Sequence, residues 1–349
     1  MGSDLGFGAS LQPDSFEVML RRTLLMERLD FDHVWVPDHL VLLDRGSICL
    51  DAWTILSGFA VKTRRIRLGT SVSDPYRRHP AVFAQTVGTL DQISKGRVIL
   101  GLGLGEAQNL IPYGISYDRS VARLREAVEV MRSLWSGRAV DFKGGFYSLR
   151  KAFIQAVPVQ KPHPPIFIAA NSPKTRMLAG ALGDGWMAEM MTPQRYREDL
   201  KDVRRGAEEA GRSLRGFRIV YHGPLSIAED REEAWSMIEK LARSLFLWWP
   251  KQLEIYGYKV TREFDWSHLL VEEDTAKKIE EHLGEVPEEV ARDITIYGTV
   301  DDCIGRIEDY IEAGVTDFAF FMEFQDKYRA DEVLKMMGEK IVPYFKGLD

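Results

Sequence analysis

Short runs rich in β-branched and aromatic residues alternate with amphipathic stretches of helical length along the whole chain, and that rhythm most narrows the architectures open to it. Strands are read at Leu5–Ala9, His33–Val36, Ile66–Thr70 and Arg97–Gly101, followed in turn by helices at Ser15–Leu29, Asp51–Val61, Pro80–Ile93 and Ser120–Leu134. The pattern resumes with strands at Ile166–Ala169, Gly185–Ala188, Arg218–Ser226 and Asp317–Phe321. Helices are read at Pro173–Leu182, Pro193–Ala210, Glu229–Phe246, Val300–Ala313 and Asp331–Tyr344. Eight parallel strands, each covered by a helix, close into a (β/α)8 TIM barrel of about 250 residues. The excess of this 349-residue α/β chain falls in two insertions. Residues 136–165 read as a small hairpin, and 247–297, with three of the eight tryptophans, as a helical lid or oligomer contact. No Gly/Ser linker interrupts the chain, so 1–349 is taken as a single domain.

Composition closes off other classes. Apolar residues make up 45% and charged residues 28%, enough for a sizeable core. Lys and Arg number 46 against 52 Asp and Glu, a net charge of −6, whereas a nucleic-acid binder usually carries a basic excess. Cys49 and Cys303 lie far apart, which suggests neither a disulfide framework nor a zinc ribbon, and a reducing cytoplasm is the expected setting. No stretch approaches the roughly 18 uninterrupted apolar residues of a membrane span, and the N-terminal stretch lacks a secretion pattern. Met1-Gly2-Ser3 matches the start of a myristoylation motif, which short sequences match easily.

In such a barrel the active site forms where the strands end, so polar residues just past a strand carry the functional weight. That rule gathers Gln12, Asp38 and His39, Ser71 to Ser73, Glu106 and Asn109, Asn171 and Ser172, and His222. His39 can exchange a proton with a substrate oxygen near neutral pH; its plainer role is a barrel-end hydrogen-bonding group. Glu106 follows VILGLGLG, whose glycines let a planar ring approach the backbone. A carboxyl there serves as proton donor if its surroundings raise its pKa, and otherwise as a helix N-terminal carboxylate. Asn171-Ser172-Pro173-Lys174 suits an anion or ordinary N-capping. Arg77, Arg78 and Lys174 are candidates for holding an acidic tail, and Met190-Met191 and Trp248-Trp249 read as packing. GLGLGE does not fit the dinucleotide fingerprint, and HExxH, P-loop and GxSxG motifs are missing. His163 reads as a loop residue, and no metal site is expected.

Taken in order, VWVPDHL, IRLGTSV, HPAVFAQTVGTLDQISKGRVILGLGLGEAQN, AANSPKTRMLAGALGDGW and YGTVDDCIGRIEDYIEAGVTDFAFF resemble the luciferase-like flavin and deazaflavin oxidoreductase superfamily, especially its coenzyme F420-dependent branch. The resemblance covers nearly the whole chain and is weakest at 246–296. It implies an F420-dependent oxidoreductase moving hydride between the deazaflavin C5 and a carbon centre of a small substrate, either an alcohol or ketone or a pterin-linked one-carbon unit. It implies that His39 and Glu106 are catalytic, that Asp38, Ser71, Val72, Asn109, Ala169, Ala170, Asn171 and Ser172 bind the cofactor, and that the Ser71–Val72 peptide is cis. It also implies a homodimer or larger homo-oligomer, for which Trp53, Ile55, Leu56 and Phe59 on the Asp51–Val61 helix offer more apolar surface than one core-facing stripe needs. The first strand reads GFGAS where methylenetetrahydromethanopterin reductases carry acidic residues. Likewise MAEMMTPQ stands where glucose-6-phosphate dehydrogenases place a lysine of a phosphate clamp. Two rivals remain, an FMN-dependent monooxygenase of the same superfamily and a non-catalytic flavin-binding relative.

Overall fold

The computed structural model describes residues 5–42, 47–260, 270–321 and 327–347. Strands β1 (Gly6–Ser10), β2 (His33–Val36), β3 (Arg67–Thr70) and β4 (Val98–Leu102) alternate with helices α1 (Phe16–Arg28), α2 (Ala52–Lys62), α3 (Pro80–Ser94) and α4 (Ser120–Leu134). A hairpin of β5 (Val140–Lys143) and β6 (Ser148–Ala152) precedes β7 (Ile166–Ala169), α5 (Pro173–Leu182), β8 (Gly185–Glu189), α6 (Pro193–Glu209), β9 (Arg218–Ile227) and α7 (Arg231–Trp248). Then come α8 (Pro250–Ile255), α9 (Thr275–His282), α10 (Glu288–Ile294), β10 (Ile296–Gly298), α11 (Val300–Glu312), β11 (Asp317–Phe321), α12 (Lys327–Met336) and α13 (Val342–Lys346). Parallel pairing runs β1-β2-β3-β4-β7-β8-β9-β11 and returns to β1, closing the eight-stranded barrel read from the sequence. The first insertion is a hairpin and the described part of the second is helical. Strand β10 was not foreseen: it pairs with Leu225–Ile227 of β9 outside the eight, and three residues carry too little pattern to read. Trp266 and Met1-Gly2-Ser3 lie outside the described residues.

Because successive strand residues point to opposite faces, the barrel interior is built in levels two residues apart. The middle level is a dry cluster of Trp35, Ile99, Phe167, Met187, Val220 and Ala319. Below it His33, Arg67, Arg218 and Asp317 form a polar level, and Trp35 Nε1 donates to His33 Nδ1 at 2.7 Å. Gly8 makes room for it, since a Cβ there would stand 2.0 Å from His33 Nδ1. Above the middle level lie Ser10, Ser71, Gly103, Ala169, Glu189, His222 and Phe321, with Ser10 Oγ and Ser71 Oγ hydrogen-bonded at 2.8 Å. The opposite strand faces pack against the helices in the main core.

The apolar surplus of α2 does not face outward. Trp53, Ile55, Leu56 and Phe59 are all 4% exposed or less. Their second face is taken by neighbouring helices, with Phe59 stacked on Phe16 of α1 at 6.0 Å and Trp53 edge-on to Phe83 of α3 at 5.2 Å. Those four residues therefore offer no free surface to a second copy of the chain. The large apolar side chains that α2 and α3 do expose are Val61, Val82 and Ile93.

Candidate active site

A cavity of about 480 Å³ opens at the C-terminal ends of the strands. All ten residues singled out for the site line it: His39, Glu106, Asp38, Ser71, Val72, Asn109, Ala169, Ala170, Asn171 and Ser172. Gln12 and Lys174 do not, and His222 sits beneath the lining. Sequence reasoning passed over Tyr117, Ser120, Met187 and Glu189, whereas Trp249 belongs to the segment read both as packing and as a lid or oligomer contact, and it lines the cavity. Glu189 was missed by one residue, because the strand that ends on it was read as stopping at Ala188.

The loop after β4 carries the acid. Gly105 has φ +80°, a left-handed conformation that a Cβ would strain, and its carbonyl accepts from the Tyr117 hydroxyl at 2.9 Å. The turn this fixes sends Glu106 into the cavity. Asn109, on the 3-10 turn that follows, accepts from the backbone N–H groups of Leu40 (2.8 Å) and Val41 (3.0 Å) through Oδ1. Two obligate donors on one side of the amide leave Nδ2 facing the other. There it lies 3.0 Å from Glu106 Oε2 and 3.0 Å from His39 Nδ1. Glu106 Oε2 also accepts from Gln108 Nε2 at 3.0 Å and stands 3.3 Å from His39 Nδ1. The imidazole thus turns Nδ1 toward this cluster, and Nε2 is its ring nitrogen without a protein partner among the described residues.

Asp38 is 3% exposed and fully engaged. Arg78 Nη1 donates to its Oδ2 at 2.8 Å, Ser73 Oγ donates to the same oxygen at 2.6 Å, and Arg77 Nη1 lies 3.3 Å from Oδ1. Trp53 Nε1 completes the chain by donating to Ser73 Oγ at 3.1 Å. The two arginines expected to hold an acidic tail are therefore committed, Arg77 also to Asp74 and Arg78 also to Asp51. Burial works against the Arg77 charge, but Asp38 and Asp74, with Glu106 further off, outweigh it and hold the guanidinium above its ordinary pKa.

The floor is low and flat on the β3–β4–β7 side. An added Cβ at Gly103 would stand 2.6 Å from Val72 Cγ2 and 3.8 Å from Ala169 Cβ, so only a residue without a side chain leaves the strip open for a planar ring. The Ser71–Val72 peptide beside it is cis. At the far edge Ser172 caps α5 in a capping box with Thr175, so N-capping accounts for its hydroxyl, while Asn171 Oδ1 accepts from Glu189 N–H at 3.2 Å.

The family model described as luciferase-like monooxygenase matches residues 4–317. The 5,10-methylenetetrahydromethanopterin reductase of Archaeoglobus fulgidus is 29% identical over 356 residues, covering 97% of this chain and 99% of that protein. The F420-dependent glucose-6-phosphate dehydrogenase of Nocardia farcinica is 31% identical over 355 residues, covering 99% and 98%. Among solved structures, an F420-dependent secondary alcohol dehydrogenase in complex with an F420–acetone adduct superposes with a TM-score of 0.83 at 26% identity, covering 98% of this chain and 99% of that one.

Proposed function

The chain belongs to the luciferase-like monooxygenase family and, within it, to the F420-dependent oxidoreductases, and from that premise we propose that it uses F420 rather than FMN and acts on an alcohol–ketone pair. It is an enzyme that moves hydride between a deazaflavin and a small organic substrate. The observation that carries the reading is the Glu106–Asn109–His39 cluster at the edge of the flat strip around Gly103. Asp38, Ser71, Val72, Asn109, Ala169, Ala170, Asn171 and Ser172 would hold the cofactor, which when bound supplies the ring carbon that gives or takes hydride. His39 exchanges the substrate's hydroxyl proton at Nε2. In the tautomer with Nδ1–H toward Glu106, protonation at Nε2 creates an imidazolium 3.3 Å from a carboxylate, which offsets the new charge. In that tautomer Asn109 Nδ2, itself a donor, bonds Glu106 and not the imidazole, and it holds the carboxylate beside His39 by anchoring it to the backbone of residues 40 and 41. The alcohol reading draws support from GFGAS in β1, which brings no acidic side chain to the mouth.

We also propose a homodimer or larger homo-oligomer, supported by Val61 and Val82, 68% and 56% exposed on adjacent helices. The cofactor reading is tested by titrating the purified protein in parallel with F420 and FMN. Tight, saturable F420 binding with weaker FMN binding is expected; tight FMN binding with none for F420 would make the protein a flavin monooxygenase.

A further inference from the structure

A second carboxylate–imidazole pair stands at the same mouth, apart from the Glu106–His39 pair. Glu189 at the end of β8 and His222 on β9 meet with Oε1 and Nδ1 2.7 Å apart. Both side chains belong to the top interior level, two residues above Met187 and Val220 of the dry cluster. His222 is 3% exposed, its Nε2 has no hydrogen-bond partner among the described residues, and the Phe321 ring stands edge-on 4.2 Å away. Glu189 lines the cavity beside Met187, Ala169 and Ala170, with Oε2 unpartnered among the described residues. His222 does not line the cavity and backs Glu189 from beneath, so the group a ligand meets is the open Glu189 Oε2 beside an apolar floor. Charge narrows the ligand. Asp38 and Asp74 are matched by Arg77 and Arg78, and Lys251 on the rim is already engaged within the protein. Among the described residues, the carboxylates on the wall without an arginine ion pair are Glu106 and Glu189, each backed by an imidazole. A phosphate or carboxylate would meet like charge there, whereas a hydrogen-bond donor would find two acceptors.

We propose that the Glu189–His222 pair binds a hydrogen-bond-donating group of the substrate, a hydroxyl or an ammonium remote from the reacting carbon, and turns anionic substrates away. The inference rests on the F420 reading above, because the substrate is taken to share the cavity with a deazaflavin. The test titrates the F420-loaded protein by calorimetry with isopropanol, propylene glycol, isopropanolamine and lactate, which share a methyl carbinol core and differ in one substituent. Isopropanolamine and propylene glycol are expected to bind about tenfold or more tighter than isopropanol, with lactate weakest. Glu189→Gln and Glu189→Leu should abolish the advantage of isopropanolamine and leave the affinities for isopropanol and F420 within about twofold. An unchanged ranking in both variants, lactate binding tightest, or no binding by any of the four overturns the proposal, as does a variant that loses F420 affinity along with the ranking. Wild-type protein that fails to bind F420 sinks the cofactor reading instead.

Discussion

Asn109 is held from one side by the Leu40 and Val41 amides and presents its Nδ2 to Glu106 and His39 on the other, so the geometry of the acid and the imidazole depends on a residue that need never touch substrate. Asn109→Leu is expected to lower kcat/KM by about 10- to 100-fold while kcat falls more than F420 affinity does. His39→Ala and Glu106→Gln should each reduce turnover by about 10²–10⁴-fold at saturating F420, followed as the change in F420 absorbance. Near-native turnover in either variant takes that residue out of the mechanism. At this scale the strand-end rule was enough to gather His39, Glu106, Asn109 and Asn171 around one mouth, because position along a strand is a local property. Their partners were not legible. Asn109 reaches back 69 residues to Leu40, and Glu189 reaches forward 33 to His222, and neither spacing has a signature.

Helices α5 and α6 touch through glycine. A Cβ at Gly180 would stand 1.9 Å from the Val203 carbonyl oxygen, and one at Gly206 would stand 2.0 Å from that of Met177. The close approach lets Arg176, 3% exposed, reach Asp202 at 2.8 Å and Asp199 at 3.1 Å between the helices. Gly180→Ala or Gly206→Ala should destabilise the fold by about 1–3 kcal/mol in urea unfolding, in spite of the better helix propensity of alanine. An unchanged midpoint would mean that the helices separate freely. The strand bottoms hold a different device. Burial pushes the Asp317 carboxyl up, but the His33 imidazole, with Nε2 3.5 Å from Oδ1, and the Arg218 guanidinium, whose Nε donates to Oδ2 at 2.5 Å, outweigh it and keep its pKa below the ordinary value. A depressed folded-state pKa contributes stability that is full above the unfolded value and lost as pH falls through the folded one. Asp317→Asn should therefore cost about 3–5 kcal/mol at neutral pH, and the gap to wild type should narrow below about pH 4. Equal urea midpoints at neutral pH would exclude that role. Element positions were readable because each helix carries its own apolar period. Which helices meet at glycine was not, since a glycine within a helical pattern has several uses.

For the molecule as a whole, light scattering at micromolar concentration should give the mass of a dimer or larger, and Val61→Lys combined with Val82→Lys should shift it toward the monomer. A monomeric wild type refutes the assembly. No described helix is long and apolar enough to cross a membrane. The closed barrel followed from the alternation of strands and helices, whereas the burial of Trp53 and Phe59 depended on which helices neighbour α2, a tertiary fact. The dry level of Trp35, Ile99, Phe167, Met187, Val220 and Ala319 has one more effect. It sets about 13 Å of strand between the charges that close the barrel below and those that face the ligand above. Changes at the two ends should be thermodynamically independent: a double-mutant cycle pairing Asp317→Asn with Glu189→Gln should return a coupling energy below about 0.5 kcal/mol. Such insulation would let a lineage diversify what the mouth accepts while the foundation beneath it stays fixed.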